Sequence, residues 1–179
     1  MADFEVHLSL SGRTRRTGLA RGNVARGRET IMFEYANEWL DDEERFPLAP
    51  ELYRRVAFNV LVSNVDDHLR NHGFLWVDRS GWTLSPAYDL NPVPTDLKAR
   101  VLTTSIDPVE STCSIELLEE AAEYYALPPA GARAILKEVA QSTRTWRTTA
   151  QEAGASSKEI QRMASAFEHD DLRKALALP

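Results

Sequence analysis

The chain of 179 residues carries a formal charge of −6, with 43% apolar and 27% charged side chains. That balance is ordinary for a soluble globular protein with one good core and room for a small appendage. Its one cysteine, Cys113, excludes a disulfide framework and fits a reducing cytoplasm, and no apolar run approaches the roughly 20 residues that span a bilayer.

Met1-Ala-Asp-Phe-Glu has neither the basic start nor the apolar centre of a signal peptide, so a cytoplasmic location is expected. The charge is uneven. Residues 1–28 hold six arginines against Asp3 and Glu5, a local +4 that leaves −10 on the rest. An acidic body argues against direct nucleic-acid binding, and the arginine-rich start reads as a solvated loop or strand edge.

Phe4 to Leu10 alternates apolar and polar residues, which predicts a strand. Ser11-Gly12 reads as a turn, with the Arg/Thr-rich stretch as the return strand. Thr30 to Tyr35 reads as a third strand and Ala36 to Leu40 as a short helical turn. Residues 1–47 are thus expected to form a small β-rich subdomain, closed by the acidic, proline-containing linker Asp41 to Pro50.

Glu51 to Ser63 predicts a helix. Leu52, Val56 and Val60 form one four-spaced row and Tyr53, Ala57 and Leu61 the next, so its apolar face is wide and the helix central. Gly73-Phe-Leu-Trp-Val77 and Trp82-Thr-Leu84 predict a hairpin, and the prolines of Leu90-Asn-Pro-Val-Pro94 make an ordered loop. Ala99 to Ile106 reads as another short strand and Asp107 to Glu110 as a helical turn. Ser114 to Ala126 and Pro129 to Glu152 read as helices, the longer one with a stripe of Ala132, Ile135, Val139, Thr143 and Trp146 ended by Gly154. Ser156 and Glu159 have capping-box spacing before a last helix that buries Ile160, Met163, Ala164 and Phe167. These helices are expected to form a bundle on the Glu51 helix, with His169-Asp170-Asp171 as a solvated tail.

The chemistry concentrates between residues 59 and 91. Asp66 is followed five positions later by Asn71, and Asp89 comes after the hairpin. Phosphoryl transfer needs a carboxylate that orients the attacking hydroxyl and oxygen ligands that hold Mg²⁺ against the phosphates. Asp66 suits the first task; Asn71, through its amide oxygen, and Asp89 suit the second. His68 and His72 are four apart, a transition-metal spacing if helical, but Asn71 and Gly73 favour a loop there. His72 then reads as solvent-facing, Asp67 as pointing away from Asp66, and Cys113 as an inert buried thiol.

The string Val62-Ser-Asn-Val-Asp-Asp-His-Leu-Arg-Asn-His-Gly-Phe74, followed by Gly81-Trp-Thr-Leu-Ser-Pro-Ala-Tyr-Asp-Leu90, closely resembles the C-terminal lobe of the HipA family of bacterial toxin serine/threonine kinases. Phe33-Glu-Tyr and Trp39-Leu resemble the family's small N-terminal subdomain more loosely. The resemblance implies an α+β, mainly helical fold with a kinase-like C-lobe over residues 48–179. It implies Asp66 as the catalytic aspartate, Asn71 and Asp89 as Mg²⁺ ligands, and His68 beside the cofactor, holding the loop through backbone hydrogen bonds. It also implies ATP as phosphoryl donor, a translation protein such as glutamyl-tRNA synthetase as substrate, and an antitoxin as partner. One departure is sharp: no lysine precedes Lys98, and no glycine-rich loop lies between residues 30 and 60. The chain is therefore expected to be a degenerate or truncated copy without its nucleotide-binding N-lobe, or one that receives that lobe from a separately encoded partner. A non-catalytic partner-binding module of a toxin–antitoxin system is the alternative.

Overall fold

The computed structural model describes residues 2–10, 13–25, 28–41, 48–76, 82–106 and 110–179. Two compact units divide the chain, one of residues 1–47 with 75–83 and one of residues 48–74 with 84–179.

The first unit carries an antiparallel sheet in the order β1 (Ala2–Leu10), β2 (Arg13–Ala25), β3 (Arg28–Tyr35). The register runs from Ala2 opposite Gly22 to Leu10 opposite Arg13, and from Gly18 opposite Tyr35 to Ala25 opposite Arg28. The single turn α1 (Asn37–Leu40) follows, with Ala36 and Trp39 buried.

The second unit is built on α2 (Leu48–Leu61), which starts three residues earlier than expected because Pro50 is compatible with a first turn. Tyr53, Ala57, Val60 and Leu61 are fully buried, and the core continues through Leu102, Ile115, Leu118, Leu136 and Ala175. The Tyr53 hydroxyl donates to the carbonyl of Leu118 at 2.9 Å, so even the polar end of that ring is satisfied. The predicted hairpin pairs β4 (Phe74–Trp76) with β5 (Trp82–Leu84), and its residues 75–83 belong to the first unit. The helices α3 (Ile115–Glu120), α4 (Pro129–Thr143), α5 (Trp146–Glu152), α6 (Ser157–Phe167) and α7 (Asp170–Ala177) complete the second unit. The fold is α+β and mainly helical, as expected. Of the described helices, none is long and apolar enough to cross a membrane.

Several local expectations hold. Pro129 opens α4, Gly154 takes φ +90° after α5, and Ser156 and Glu159 exchange both bonds of a capping box. Cys113 is buried, and burial pushes its thiol up to about 11, which leaves it unreactive.

Others are corrected. The Pro129 helix does not run to Glu152 but breaks at Arg144-Thr145. The hydroxyls of Thr143 and Thr145 bond the carbonyls of Val139 and Ser142, both at 2.8 Å, and compete with the helical ladder. Trp146 therefore lies on α5, half-buried and stacked on Phe167 of α6 with centroids 4.4 Å apart, instead of in the main core. α4 packs on α2 and α7, whereas α5 and α6 pair with each other. In α6 only Ala166 is fully buried; Met163 and Ile160 are partly covered. Residues 99–106 form no strand. A lone bridge joins Val101 and Thr112, because the amides of Thr103 and Thr104 turn to the carbonyls of Val65 and Asp67. The helical turn expected at Asp107 to Glu110 lies mostly outside the described residues.

The largest correction is the C-terminus, which is a helix and not a solvated tail. Asp171, Leu172 and Ala175 are buried. Asp171 pairs with Arg100 and accepts the Ile115 amide at 3.0 Å. Arg100 also donates to Ser63 Oγ at 3.0 Å and to the Val60 carbonyl at 2.7 Å, while the Ser63 hydroxyl donates to the Ala166 carbonyl at 2.8 Å. His169 caps α7: its Nδ1 accepts from the Leu172 amide, and its Nε2–H donates to the Leu61 carbonyl at 3.1 Å.

That neutral imidazole has a consequence for stability. Burial, then the Arg100 charge, lowers His169 from 6.5 to about 4. The unfolded ring binds a proton near 6.5 and the folded ring only near 4, so the contribution is complete above 6.5 and is lost as pH falls through that window. Urea unfolding is expected to show roughly 2 kcal/mol less stability at pH 5 than at pH 7. His169→Gln should flatten that slope; an unchanged slope would place its origin elsewhere.

Candidate active site

α2 ends in a tight turn that aims the chain into the loop carrying Asp66. Ser63 takes a left-handed φ of 54°, a conformation that costs on the order of 1 kcal/mol and that the bonds from Arg100 and to Ala166 hold in place. Asn64 donates from its side chain to Asn59 Oδ1 at 3.0 Å, and its own Oδ1 accepts the Asn91 amide at 3.3 Å. The loop is fastened from a second side: the Val65 carbonyl takes the amide and hydroxyl of Thr103, both at 3.0 Å, and the Asp67 carbonyl takes those of Thr104.

The segment bearing Asp89 is strapped to the one bearing Asn71. The Ser85 amide donates to the Gly73 carbonyl at 2.8 Å, the Tyr88 hydroxyl to the Arg70 carbonyl at 2.6 Å, and the Val93 amide to the Ser63 carbonyl at 3.1 Å. A side chain at Gly73 would meet the Ser85 hydroxyl at 3.1 Å and the Tyr88 hydroxyl at 3.4 Å, so glycine permits the close approach. Asp89 itself sits at φ 56°, a backbone that Asp tolerates better than most residues.

Each expected site residue has a distinct setting. The Asp66 side chain is 69% exposed, with Lys98 Nζ 3.9 Å from its Oδ1. His68 is half-buried; its carbonyl accepts the Asn71 amide at 2.8 Å, and its Nδ1 is buried without a partner. Asn71 ends a 3-10 turn (Leu69–Asn71), is 6% exposed, and has a buried Nδ2 that bonds nothing. Asp89 is exposed, and one of its oxygens accepts from Asn91 Nδ2 at 2.7 Å. The hydrogen bonds join the immediate neighbours of Asn71 and Asp89, whereas Asp66 stands at the solvent edge of the same loop.

One reading of this loop needs correction. His72 is not solvent-facing: its Nε2–H donates to Asp67 Oδ2 at 3.0 Å, and both side chains are buried. Asp67 does point away from Asp66, into the core, where its charge adds to burial in raising the Tyr125 phenol to about 12. Among the described residues no group of three or more His, Cys, Asp or Glu side chains could hold a transition metal. The contacts of Tyr88 with the Arg70 carbonyl and of Lys98 with Asp66 were not foreseen from the sequence. The aromatic residue directly before Asp89 was the signal available for the first; nothing local marked the second.

A model of the HipA-like C-terminal domain matches residues 24–167. The chain belongs to the HipA-like C-terminal domain family. A 40-residue stretch is 48% identical to "Putative kinase Y4dM" of Sinorhizobium fredii (strain NBRC 101917 / NGR234), covering 22% of this chain and 10% of that protein. A chain from the Shewanella oneidensis MR-1 toxin–antitoxin complex of HipA, HipB and operator DNA superposes with a TM-score of 0.50 at 16% identity. That match covers 87% of this chain and 45% of the solved one, and it shows that the two share the HipA-like fold. The present chain thus spans less than half the length of either protein.

Adjacent carboxylates in this HipA-like loop have opposite physical roles, which sets up a test. Asp67→Ala leaves His72 buried without its partner and is expected to cost about 3 kcal/mol in urea unfolding. Asp66→Ala removes an exposed side chain and should change stability by no more than about 0.5 kcal/mol. Equal losses at the two positions would contradict the assignment.

Proposed function

We propose that this chain is the phosphotransfer half of a HipA-type serine/threonine kinase, acting with ATP and Mg²⁺ on a protein hydroxyl. The observation that carries the reading is the strapping of the Asp89 segment onto the Asn71 turn, beside an accessible Asp66.

The donor set fits the metal. Asn71 offers an amide oxygen from a side chain that makes no other bond, and Asp89 a carboxylate with one oxygen uncommitted; both are hard ligands of the kind Mg²⁺ takes. When bound, the ion supplies neutralisation of charge on the phosphate oxygens. Asp66, at the solvent edge, accepts the hydrogen bond of the substrate hydroxyl and turns its oxygen toward the reacting centre. Lys98 beside it adds positive charge near the place where phosphate charge develops.

For the nucleotide the chain's own residues do not suffice. It has no lysine before Lys98 and no glycine-rich covering loop between residues 30 and 60. A separately encoded lobe would supply both; without it the chain is a degenerate kinase. The same absence favours the second reading, a non-catalytic module that binds a toxin–antitoxin partner, and the solved relative is itself a complex of HipA with HipB and DNA. A translation protein such as glutamyl-tRNA synthetase is the substrate the family suggests, and an antitoxin the partner.

Titration with Mn²⁺ is expected to show weak binding, lowered about tenfold by Asp89→Ala. Calorimetry with ATP and Mg²⁺ should give a Kd no tighter than about 1 mM. Mn²⁺ affinity indifferent to both Asp89→Ala and Asn71→Ala would overturn the metal assignment. Micromolar ATP binding, abolished by Asp89→Ala, would instead make the chain a self-sufficient kinase.

A further inference from the structure

A cleft of about 320 Å³ opens within the second unit between α2, α4 and the Ala87–Leu90 segment. Phe58, Tyr88, Leu90 and Val139 give it a mainly apolar wall. The polar residues of the wall fall into two kinds. Arg54 is paired with Glu138 at 2.6 Å, and the His72 ring meets Asp67 at 3.0 Å, so both carboxylates of the wall already have a partner. Arg55 is different: its Nη2 donates to the Ser85 carbonyl, and it has no carboxylate partner among the described residues.

Three wall residues also keep buried nitrogens with no hydrogen-bond partner: Arg55 Nη1, Asn71 Nδ2 and His72 Nδ1. The first two are donors. With Nε2–H committed to Asp67, the third is an acceptor in the neutral ring. A buried donor or acceptor left unpaired costs roughly 1–3 kcal/mol, and folded proteins rarely leave three such groups in one wall. The two unpaired donors, a guanidinium with no carboxylate partner of its own and an apolar wall describe what is missing: an anionic acceptor on a small apolar body.

We propose that this cleft is a binding site for a small monocarboxylate, its carboxylate taken by Arg55 and the Asn71 amide and its apolar part by Phe58 and Val139. The volume equals that of about ten waters at roughly 30 Å³ each, ample room for a ring with one carboxylate. A guanidinium gives a carboxylate a charge-assisted contact that a neutral amide cannot match. The site shares Asn71 with the proposed metal site but uses its Nδ2 and not its amide oxygen, and Asp66 and Asp89 take no part in it.

Benzoate and its neutral isostere benzamide are the probes, with ¹H–¹⁵N spectra of the full chain reporting on the Asn71 amide and the His72 ring. Benzoate is expected to shift both saturably, and benzamide to bind at least about tenfold more weakly. Arg55→Met should abolish the difference between the two. Because Arg55 also supports Ser85, Ser142→Trp provides the independent variant: it fills the cleft from an exposed position on α4 and should remove binding without touching Arg55. Equal affinities for the two probes, shifts that do not saturate, or full benzoate binding in Ser142→Trp would overturn the proposal.

Discussion

One buried ion pair ties the second unit together. Arg100 reaches Asp171, Ser63 and the Val60 carbonyl at once, and Asp171 also takes the Ile115 amide. The end of α2, the start of α3, the first turn of α7 and the turn into the Asp66 loop therefore meet at one guanidinium. Such a pair adds little over an apolar replacement, but removing one member leaves a charge buried and costs about 3–5 kcal/mol. Its value here is geometric: it fixes Ser63 in the left-handed turn from which the loop departs.

The loop's two faces follow from that fixed departure. Val65 and Asp67 turn inward, where Thr103 and Thr104 take their carbonyls and His72 takes the Asp67 carboxylate. Asp66, between them, is left in solvent with Lys98 as its only ion-pair partner among the described residues. The turn at Val65-Asp66 thus separates a buried structural carboxylate, Asp67, from an exposed one, Asp66. The Ser85–Val93 strap then holds the segment around Asp89 to the Asn71 turn through backbone carbonyls and not through the Asn71 and Asp89 side chains. In this HipA-like domain the arrangement leaves the Asp66 carboxylate in solvent and the Asn71 side chain without a hydrogen bond.

Much of this was legible in the sequence where a local rule decides. The four-spaced rows of α2, the capping box at Ser156, the hairpin and the placement of Asp66, Asn71 and Asp89 on loops beside it all rest on periodicity or turn chemistry. What escaped was decided by partners far along the chain. Asp171 reads as a solvated acid until Arg100, 71 residues away, is seen beside it. His72 reads as surface until Asp67 is seen to be buried. The segment after Ala99 has strand-like residues, but its amides serve the loop and not a ladder. The break at Thr145 came from hydroxyl competition at Thr143 and Thr145, which a stripe of apolar positions does not report.

The central claim is that the Arg100–Asp171 pair holds the site loop in shape. Native-state hydrogen exchange on Asp171→Asn tests it most directly. The amides of Thr103 and Thr104, which bond the loop carbonyls, should lose about a hundredfold in protection relative to those of α2 around Val60. Protection at Thr103 and Thr104 that falls no further than protection in the α2 core would contradict the account.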